Sequence, residues 1–242
     1  MYDLVITNGR VIDPSQEIDG KFDVAITSGK ISKISENIPH SEAIEVMDVT
    51  GSIVIAGMID VHTHVYAGVN ATGVVPDTGG IRAGVTTMVD AGSSGCDTYG
   101  GFPNYVIPNN KTEILPFLHI CRTGLATTPD IIAETSIDLE NTIRVVQESN
   151  GTIKGIKARM VSPALEIFGM EMPKLAKRAA REAGVKLMVH IGDTENRYDE
   201  SVINKLLPIL DEGDIVTHLF TANKGGIIDS AGKLVPEAKE AK

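Results

Sequence analysis

The stretch GMIDVHTH, residues 57–64, closes an apolar run that begins at Ile53. Such a run predicts a buried β-strand. Successive side chains of a strand alternate between its two faces, so His62 and His64 point the same way and can hold one metal ion. The same HxH pair could also be two ordinary histidines on a half-exposed strand. Its meaning therefore depends on the rest of the chain.

Downstream of Ile53, buried-looking strands alternate with helical stretches, which indicates repeated βα units around a parallel sheet. The strands that we predict are Ile53–Val61, Thr86–Ala91, Ile114–Cys121, Gly155–Met160, Lys186–Ile191 and Asp214–Phe220. The helices that we predict are Asp138–Glu148, Met172–Ala183 and Glu200–Leu210, with a Gly-rich loop at Gly92–Asn110 that forms a flexible wall of the site. The fold class expected is α/β, a TIM (β/α)8-type barrel. A closed barrel needs eight strands, so these six predict an incomplete, C-terminally truncated one.

Upstream, residues 1–52 alternate apolar and polar positions in short runs. Turn signals interrupt them at Asn8-Gly9, Asp13-Pro14, Asp19-Gly20 and Ser28-Gly29. This pattern predicts a small antiparallel β unit rather than a signal peptide. The predicted domains are therefore 1–52, a β-sandwich segment, and 53–242, the partial barrel.

The segment GIKARM, residues 155–160, places Lys157 and Arg159 on one face of a predicted strand. Two charges on a strand buried on both sides need a reason, because an unpaired buried ammonium is costly or loses its proton. A desolvated neutral lysine can react with carbon dioxide, and the carbamate so formed can bridge two cations. The alternative is an exposed edge strand with ordinary surface charges.

His190 and His218 each lie near the end of their own apolar strand, one βα unit apart. Each alone would more often be a core or turn histidine. Parallel strands deliver their carboxyl ends to one mouth of a barrel, however, so we expect these two histidines to meet Lys157 and the HxH pair there. His119 has no partner at ligand spacing and is expected in the core or behind the ligands.

Composition excludes several partners. Acidic residues outnumber basic ones 32 to 22, and the formal net charge is -10. With no basic block interleaved with aromatics and no membrane-length apolar stretch, nucleic acid and membrane are poor partners. Cys96 and Cys121 lack zinc-finger spacing, which predicts free thiols in a reducing cytoplasm. A small-molecule substrate is expected, and a homo-oligomer stays open.

Taken together, these residues resemble the amidohydrolase superfamily, and within it the dihydroorotase-like branch of cyclic-amide hydrolases and deacetylases. The resemblance runs from NGRVIDP at residues 8–14 through GMIDVHTH to the isolated lysine and the two later histidines. The HxH strand of the family often starts with Pro-Gly, where this chain has Ala56-Gly57.

The resemblance implies a cofactor of two divalent metal ions, zinc foremost. By position it implies the metal ligands His62, His64, Lys157, His190 and His218, with Lys157 carboxylated and bridging. It also implies that a metal-bridging hydroxide attacks a polarised carbonyl.

The family places an aspartate after the eighth strand as the general base. Neither Asp214 nor Asp229 occupies that position, so the general base is expected to be absent from this chain. Arg159 could contact a substrate carboxylate at the mouth, or it could close the barrel end in a salt bridge.

The implied function is a metal-dependent hydrolase of a non-peptide C–N bond, or of an ester, in a small N-acyl or cyclic amide substrate. GIKARM and DAGSSGCDTYGGF, residues 90–102, look more like a subgroup of deacetylases, often labelled amidohydrolase or adenine deaminase, than like dihydroorotase proper. Adenine-deaminase-like or dihydroorotase activity stays open. So does a catalytically inactive truncated or scaffold relative.

Overall fold

The computed structural model describes residues 1–198 and 201–240 and divides the chain into two compact units. The first unit is Met1–Met58, and the second begins at Ile59. No helix in the described residues is both long and apolar enough to cross a membrane.

The first unit contains seven strands in two small sheets. They are β1 (Tyr2–Thr7), β2 (Arg10–Asp13), β3 (Ile18–Lys21), β4 (Asp23–Thr27), β5 (Lys30–Ser35), β6 (Ala43–Asp48) and β7 (Ile53–Val54). The sheet orders are β5-β4-β1-β6 and β3-β2-β7.

The predicted antiparallel arrangement is wrong for two strand pairs, because β6 runs parallel to β1 and β7 runs parallel to β2. The crossover from β5 to β6 contains Ile38, which is fully buried in one cluster with Val5 and Ala25. Its backbone N–H donates to the Asp23 carboxylate at 2.9 Å. Because the crossover is buried in this way, β6 returns parallel to β1. The alternation of apolar and polar residues within a strand does not predict the path of a crossover. Asp19-Gly20, predicted as a turn, lies inside β3.

The second unit is built on one curled six-stranded sheet, which confirms the predicted incomplete barrel. Its strands are β8 (Met58–Thr63), β9 (Val85–Gly95), β10 (Glu113–His119), β11 (Gly155–Arg159), β12 (Lys186–His190) and β13 (Ile215–Thr217). They lie side by side in chain order, and the pairs from β9 to β13 are parallel. The helices are α1 (Pro76–Gly79), α2 (Leu139–Glu148), α3 (Ala164–Phe168), α4 (Glu171–Ala183), α5 (Val202–Leu206) and α6 (Pro236–Glu240).

Helix α4 shows how the sequence covers the sheet. Met172, Ala176, Ala179 and Ala180 recur at helical spacing and are fully buried, which gives α4 one apolar stripe. The helix ends at Gly184, whose φ of +72° is the left-handed conformation that glycine adopts at little cost. This stripe belongs to the cluster that contains Ile156 and Leu187, among others, so β11 and β12 keep their other face for the barrel interior.

Several predicted boundaries need correction. The predicted strand Ile53–Val61 splits at Ala56-Gly57, and its first part joins the first unit as β7. Strand β13 stops at Thr217, before the predicted end at Phe220. The predicted helix Glu200–Leu210 is the short α5 followed by a 3-10 turn, and Glu200 lies outside the described residues.

The Gly-rich segment is also corrected, because its first part is strand and not loop. Strand β9 continues through Gly95 and is buried there. A Cβ on Gly95 would lie 1.9 Å from the carbonyl oxygen of Cys121. This glycine therefore permits close backbone packing.

Candidate active site

The five predicted ligands lie at one end of the curled sheet. His62 is near the end of β8 and His64 follows it, Lys157 lies in β11, His190 ends β12, and His218 comes directly after β13. All five line one cavity of about 330 Å³, together with Arg159. We call it the central cavity.

The imidazole rings are in contact range across this cavity. The ring centroids of His62 and His64 are 5.7 Å apart, those of His62 and His218 are 4.7 Å apart, and those of His190 and His218 are 4.2 Å apart. These rings come from three strands, of which β8 and β13 are the two edges of the sheet. Curvature of the sheet therefore brings its edges together at this end.

Lys157 is the most unusual group of the site. Its side chain is among the largest that are fully buried, and among the described residues its Nζ has no hydrogen-bond partner. Burial and then the charge of Arg159 lower the pKa of Lys157 to about 7, although Asp90 partly opposes them. The alternative of an exposed edge strand is therefore wrong, since β11 is central and the amine is enclosed.

All four histidines are held in the neutral form that binds metal. Burial, and then the charge of Lys157, lower the pKa of His62 to about 3 and that of His64 to about 4. Burial is also the main cause that lowers the pKa values of His190 and His218. At neutral pH these rings can offer a lone pair.

Two residues behind the HxH pair were missed in the sequence. Asp90 in β9 is fully buried and accepts hydrogen bonds from the backbone N–H groups of Val65 at 2.7 Å, Ser93 at 2.7 Å and Gly92 at 3.1 Å. Burial raises the pKa of Asp90 to about 6, against the effect of those hydrogen bonds. The signal was available, because a carboxylate within an apolar strand needs the same explanation as Lys157.

Ser93 is the second missed residue. Its buried Oγ lies 3.0 Å from Nδ1 of His64 and accepts a weaker hydrogen bond from Asn70 at 3.4 Å. A partner on Nδ1 fixes the orientation of an imidazole and leaves Nε2 for a ligand. Nothing in the sequence marked this serine.

Arg159 forms a salt bridge and also lines the central cavity. Both of its predicted roles therefore stay open at this point. Its Nη1 donates to Oδ1 of Asp130 at 3.0 Å. Oδ2 of Asp130 lies 3.2 Å from Nε2 of the fully buried His119, in a direction that does not make a good hydrogen bond. Burial alone would raise the pKa of Asp130, but His119 and Arg159 outweigh it and hold that pKa at about 2. His119 lies behind the ligands, as predicted.

The remaining carboxylates considered in the sequence lie elsewhere. Asp214 forms a buried ion pair with Lys177 and accepts from the backbone N–H of Leu187, at the start of β12. Asp229 accepts from backbone groups of its own turn. Among the described residues, no three His, Cys, Asp or Glu side chains form a ready-made metal-binding group. Metal binding by the five convergent residues therefore stays a prediction.

Comparison with known proteins gives the relationships of this chain. Three curated relatives named deacetylase are 29–32% identical over 83–95% of the chain. The one from Brucella anthropi is 32% identical over 230 residues, which are 93% of this chain and 56% of that protein. Crystal structures of an adenine deaminase and of a dihydroorotase each superpose with a TM-score of 0.83 at 28% identity. The chain belongs to the amidohydrolase superfamily. Within it, these relatives place the chain on the dihydroorotase-like branch.

The match includes all or most of this chain but only part of each relative. Each of the two crystal structures covers 100% of this chain, which in turn covers 63% of each of them. The chain spans about half the length of the curated deacetylases that it matches. No family model matches the sequence.

Proposed function

We propose that this chain carries the metal site of a metal-dependent hydrolase that cleaves a non-peptide C–N bond, or an ester, in a small acylated or cyclic amide substrate. One observation carries the proposal: four neutral imidazoles converge with a buried lysine in one cavity. An amine that is enclosed without a partner among the described residues is costly to fold, so the presence of Lys157 at this position favours a chemical role.

The donor set fits two divalent cations. His62 and His64 would hold one ion, His190 and His218 the other, and the carbamate of Lys157 would bridge them. Imidazole nitrogen and carboxylate-type oxygen are ordinary zinc ligands. When bound, the two ions would polarise a carbonyl and lower the pKa of water into the neutral range.

The chain's own groups prepare this site. Asp90 accepts hydrogen bonds from three backbone N–H groups, and the one from Val65 fixes the segment that follows the HxH pair. Ser93 orients His64. Such partners behind the ligands commonly contribute 10–100-fold to metal affinity.

Deacetylation is the favoured reaction, because three curated relatives of this chain carry the name deacetylase. Ring hydrolysis or purine deamination is the second candidate. It is supported by the equal similarity to the adenine deaminase and dihydroorotase structures. A substrate panel of acetylated amino acids, dihydroorotate, hydantoin and adenine separates the two.

The decisive experiment compares two lysines of the same segment by elemental analysis of protein purified without chelator. Lys157→Ala should lose the pair of zinc ions, and added acetate should restore part of it by supplying a carboxylate. Lys154→Ala should keep the wild-type metal content, because the side chain of Lys154 is exposed and its ammonium donates to the carbonyl of Gly151. Wild-type metal content in Lys157→Ala, or less than about half a metal per wild-type chain, would refute the proposal.

A further inference from the structure

The central cavity has an unbalanced charge. Arg159 contributes a permanent positive charge to its lining, and the described residues that line it include no Asp or Glu. Asp90 and Asp130 lie behind the wall and are fully buried. A cavity with this lining is complementary to an anionic ligand.

Arg159 is oriented so that much of its guanidinium stays available. It is the last residue of β11, and its side chain is 16% exposed. A guanidinium has five N–H donors in a planar fork. In the described part of the chain only Nη1 is engaged, by Asp130 at 3.0 Å. Because Arg159 lines the cavity, its remaining N–H groups are available to a ligand there.

Asp130 holds this fork from behind. Its carboxylate is 1% exposed and is fixed between Arg159 and His119. Here the aspartate is buried and the arginine reaches the ligand space, which is the arrangement of a positioned binding group.

The other wall of the cavity is small and neutral. It is formed by Asn70, Ala71 and Thr72 after β8 and by Leu125 and Thr128 after β10. The volume of about 330 Å³ is near the lower end of ordinary ligand pockets, roughly 300 Å³. It therefore suits a short acyl group and a short side chain together with one carboxylate.

We propose that Arg159 is the carboxylate-binding group of this site, and that the substrate is a small acylated compound with a carboxylate close to the bond that is cleaved. Asp130 is the positioning residue that holds the fork. The identity of the substrate rests on the proposed hydrolase function, whereas carboxylate binding by Arg159 does not.

The test measures binding of a matched pair of probes, N-acetylglycine and N-acetylglycinamide, by ligand-observed NMR titration. The two differ only in a carboxylate against a carboxamide. Titrations are made with chelator-treated protein, so that no metal ion can bind the carboxylate, and again after zinc is added. Wild-type protein should bind the acid at least tenfold more tightly than the amide in both forms.

Arg159→Met should abolish that preference. Arg159→Lys should keep a preference for the acid that is at least threefold smaller than that of the wild type, because an ammonium cannot make the bidentate contact of a guanidinium. Arg144→Met is the matched control, since Arg144 is 60% exposed and pairs with Glu148 on α2. It should behave as wild type.

Each other outcome has a definite meaning. Equal binding of acid and amide to wild-type protein, or a preference that survives in Arg159→Met, overturns the inference. If Arg159→Met does not fold, Arg159→Lys decides, and an unchanged preference in that variant overturns it as well. Protein that shows the Arg159-dependent preference but neither holds zinc nor hydrolyses the panel keeps this inference and refutes the proposed function.

Discussion

Replacement of Gly92 by alanine should damage the site through Lys157. Gly92 lies in β9 with φ +88°, and a Cβ built there would be 2.7 Å from both Cβ and Cγ of Lys157 and 3.2 Å from Cδ2 of His119. Lys157 is fully buried on a central strand, so its inner carbons have no free space to enter. Gly92→Ala must therefore displace the lysine or the strand.

The chain offers a close control in Gly151. Its φ is +80°, and no heavy atom lies within 4 Å of the added Cβ. Both variants lose about 1–2 kcal/mol by placing alanine in left-handed backbone. Both regain about 0.4–1 kcal/mol, because alanine restricts the unfolded chain. Gly151→Ala should thus cost about 1 kcal/mol.

Gly92→Ala carries an additional cost of overpacking, about 1–3 kcal/mol. Its total loss of unfolding free energy should therefore be about 2–4 kcal/mol, measured by urea unfolding beside Gly151→Ala at unchanged denaturant slope. A zinc titration of both variants should show weaker binding for Gly92→Ala alone. If the two variants lose equal stability and bind zinc like the wild type, then Lys157 is not packed against Gly92 as described.

Buried polar groups elsewhere in the second unit can be tested in the same way. Ser93→Ala should weaken zinc binding about 10–100-fold in a competition assay, because it frees the second histidine of the HxH pair. Ser94→Ala should leave zinc affinity unchanged in that assay, because the buried hydroxyl of Ser94 has no partner in the described residues. Lys177→Met should cost about 3–5 kcal/mol in urea unfolding, because it leaves a buried carboxylate unpaired; Arg178→Met, which removes an exposed pair, should cost less than about 1 kcal/mol. The pKa of Asp130 in the folded chain is about 2, below the ordinary carboxyl pKa of 3.8, so the unfolded chain binds more protons between pH 2 and pH 4. About 2 kcal/mol of stability should therefore be present above pH 4 and lost as the pH falls to 2. An Asp130→Asn variant whose stability fell equally steeply in acid would contradict this.

The errors in the predicted boundaries share one cause. Apolar character marks a buried segment but does not say which sheet it joins, so it predicts one strand at Ile53–Val61 although this segment contributes to two sheets. Glycine marks freedom of the backbone, which a chain can use for a flexible loop or for close packing. Gly95 is needed for close packing, because the carbonyl of Cys121 lies against it. Cys121 is 26 positions further along the chain, so the local sequence does not show this contact.

Local sequence is enough to show which side chains share a face of a strand. Alternation is a property of a few consecutive residues, so GMIDVHTH was enough to pair His62 with His64, and GIKARM was enough to pair Lys157 with Arg159. The order of strands and helices likewise indicated a parallel sheet, because each βα unit is local in the chain.

The contacts across the cavity and behind it depend instead on how distant segments pack together. His218 meets His62 because the sheet curls until its two edge strands approach, and curvature is a property of six strands together. Asp130 reaches Arg159 from a loop 29 positions earlier in the chain. Such contacts depend on the path of the connecting segments, and no periodicity in the sequence records that path.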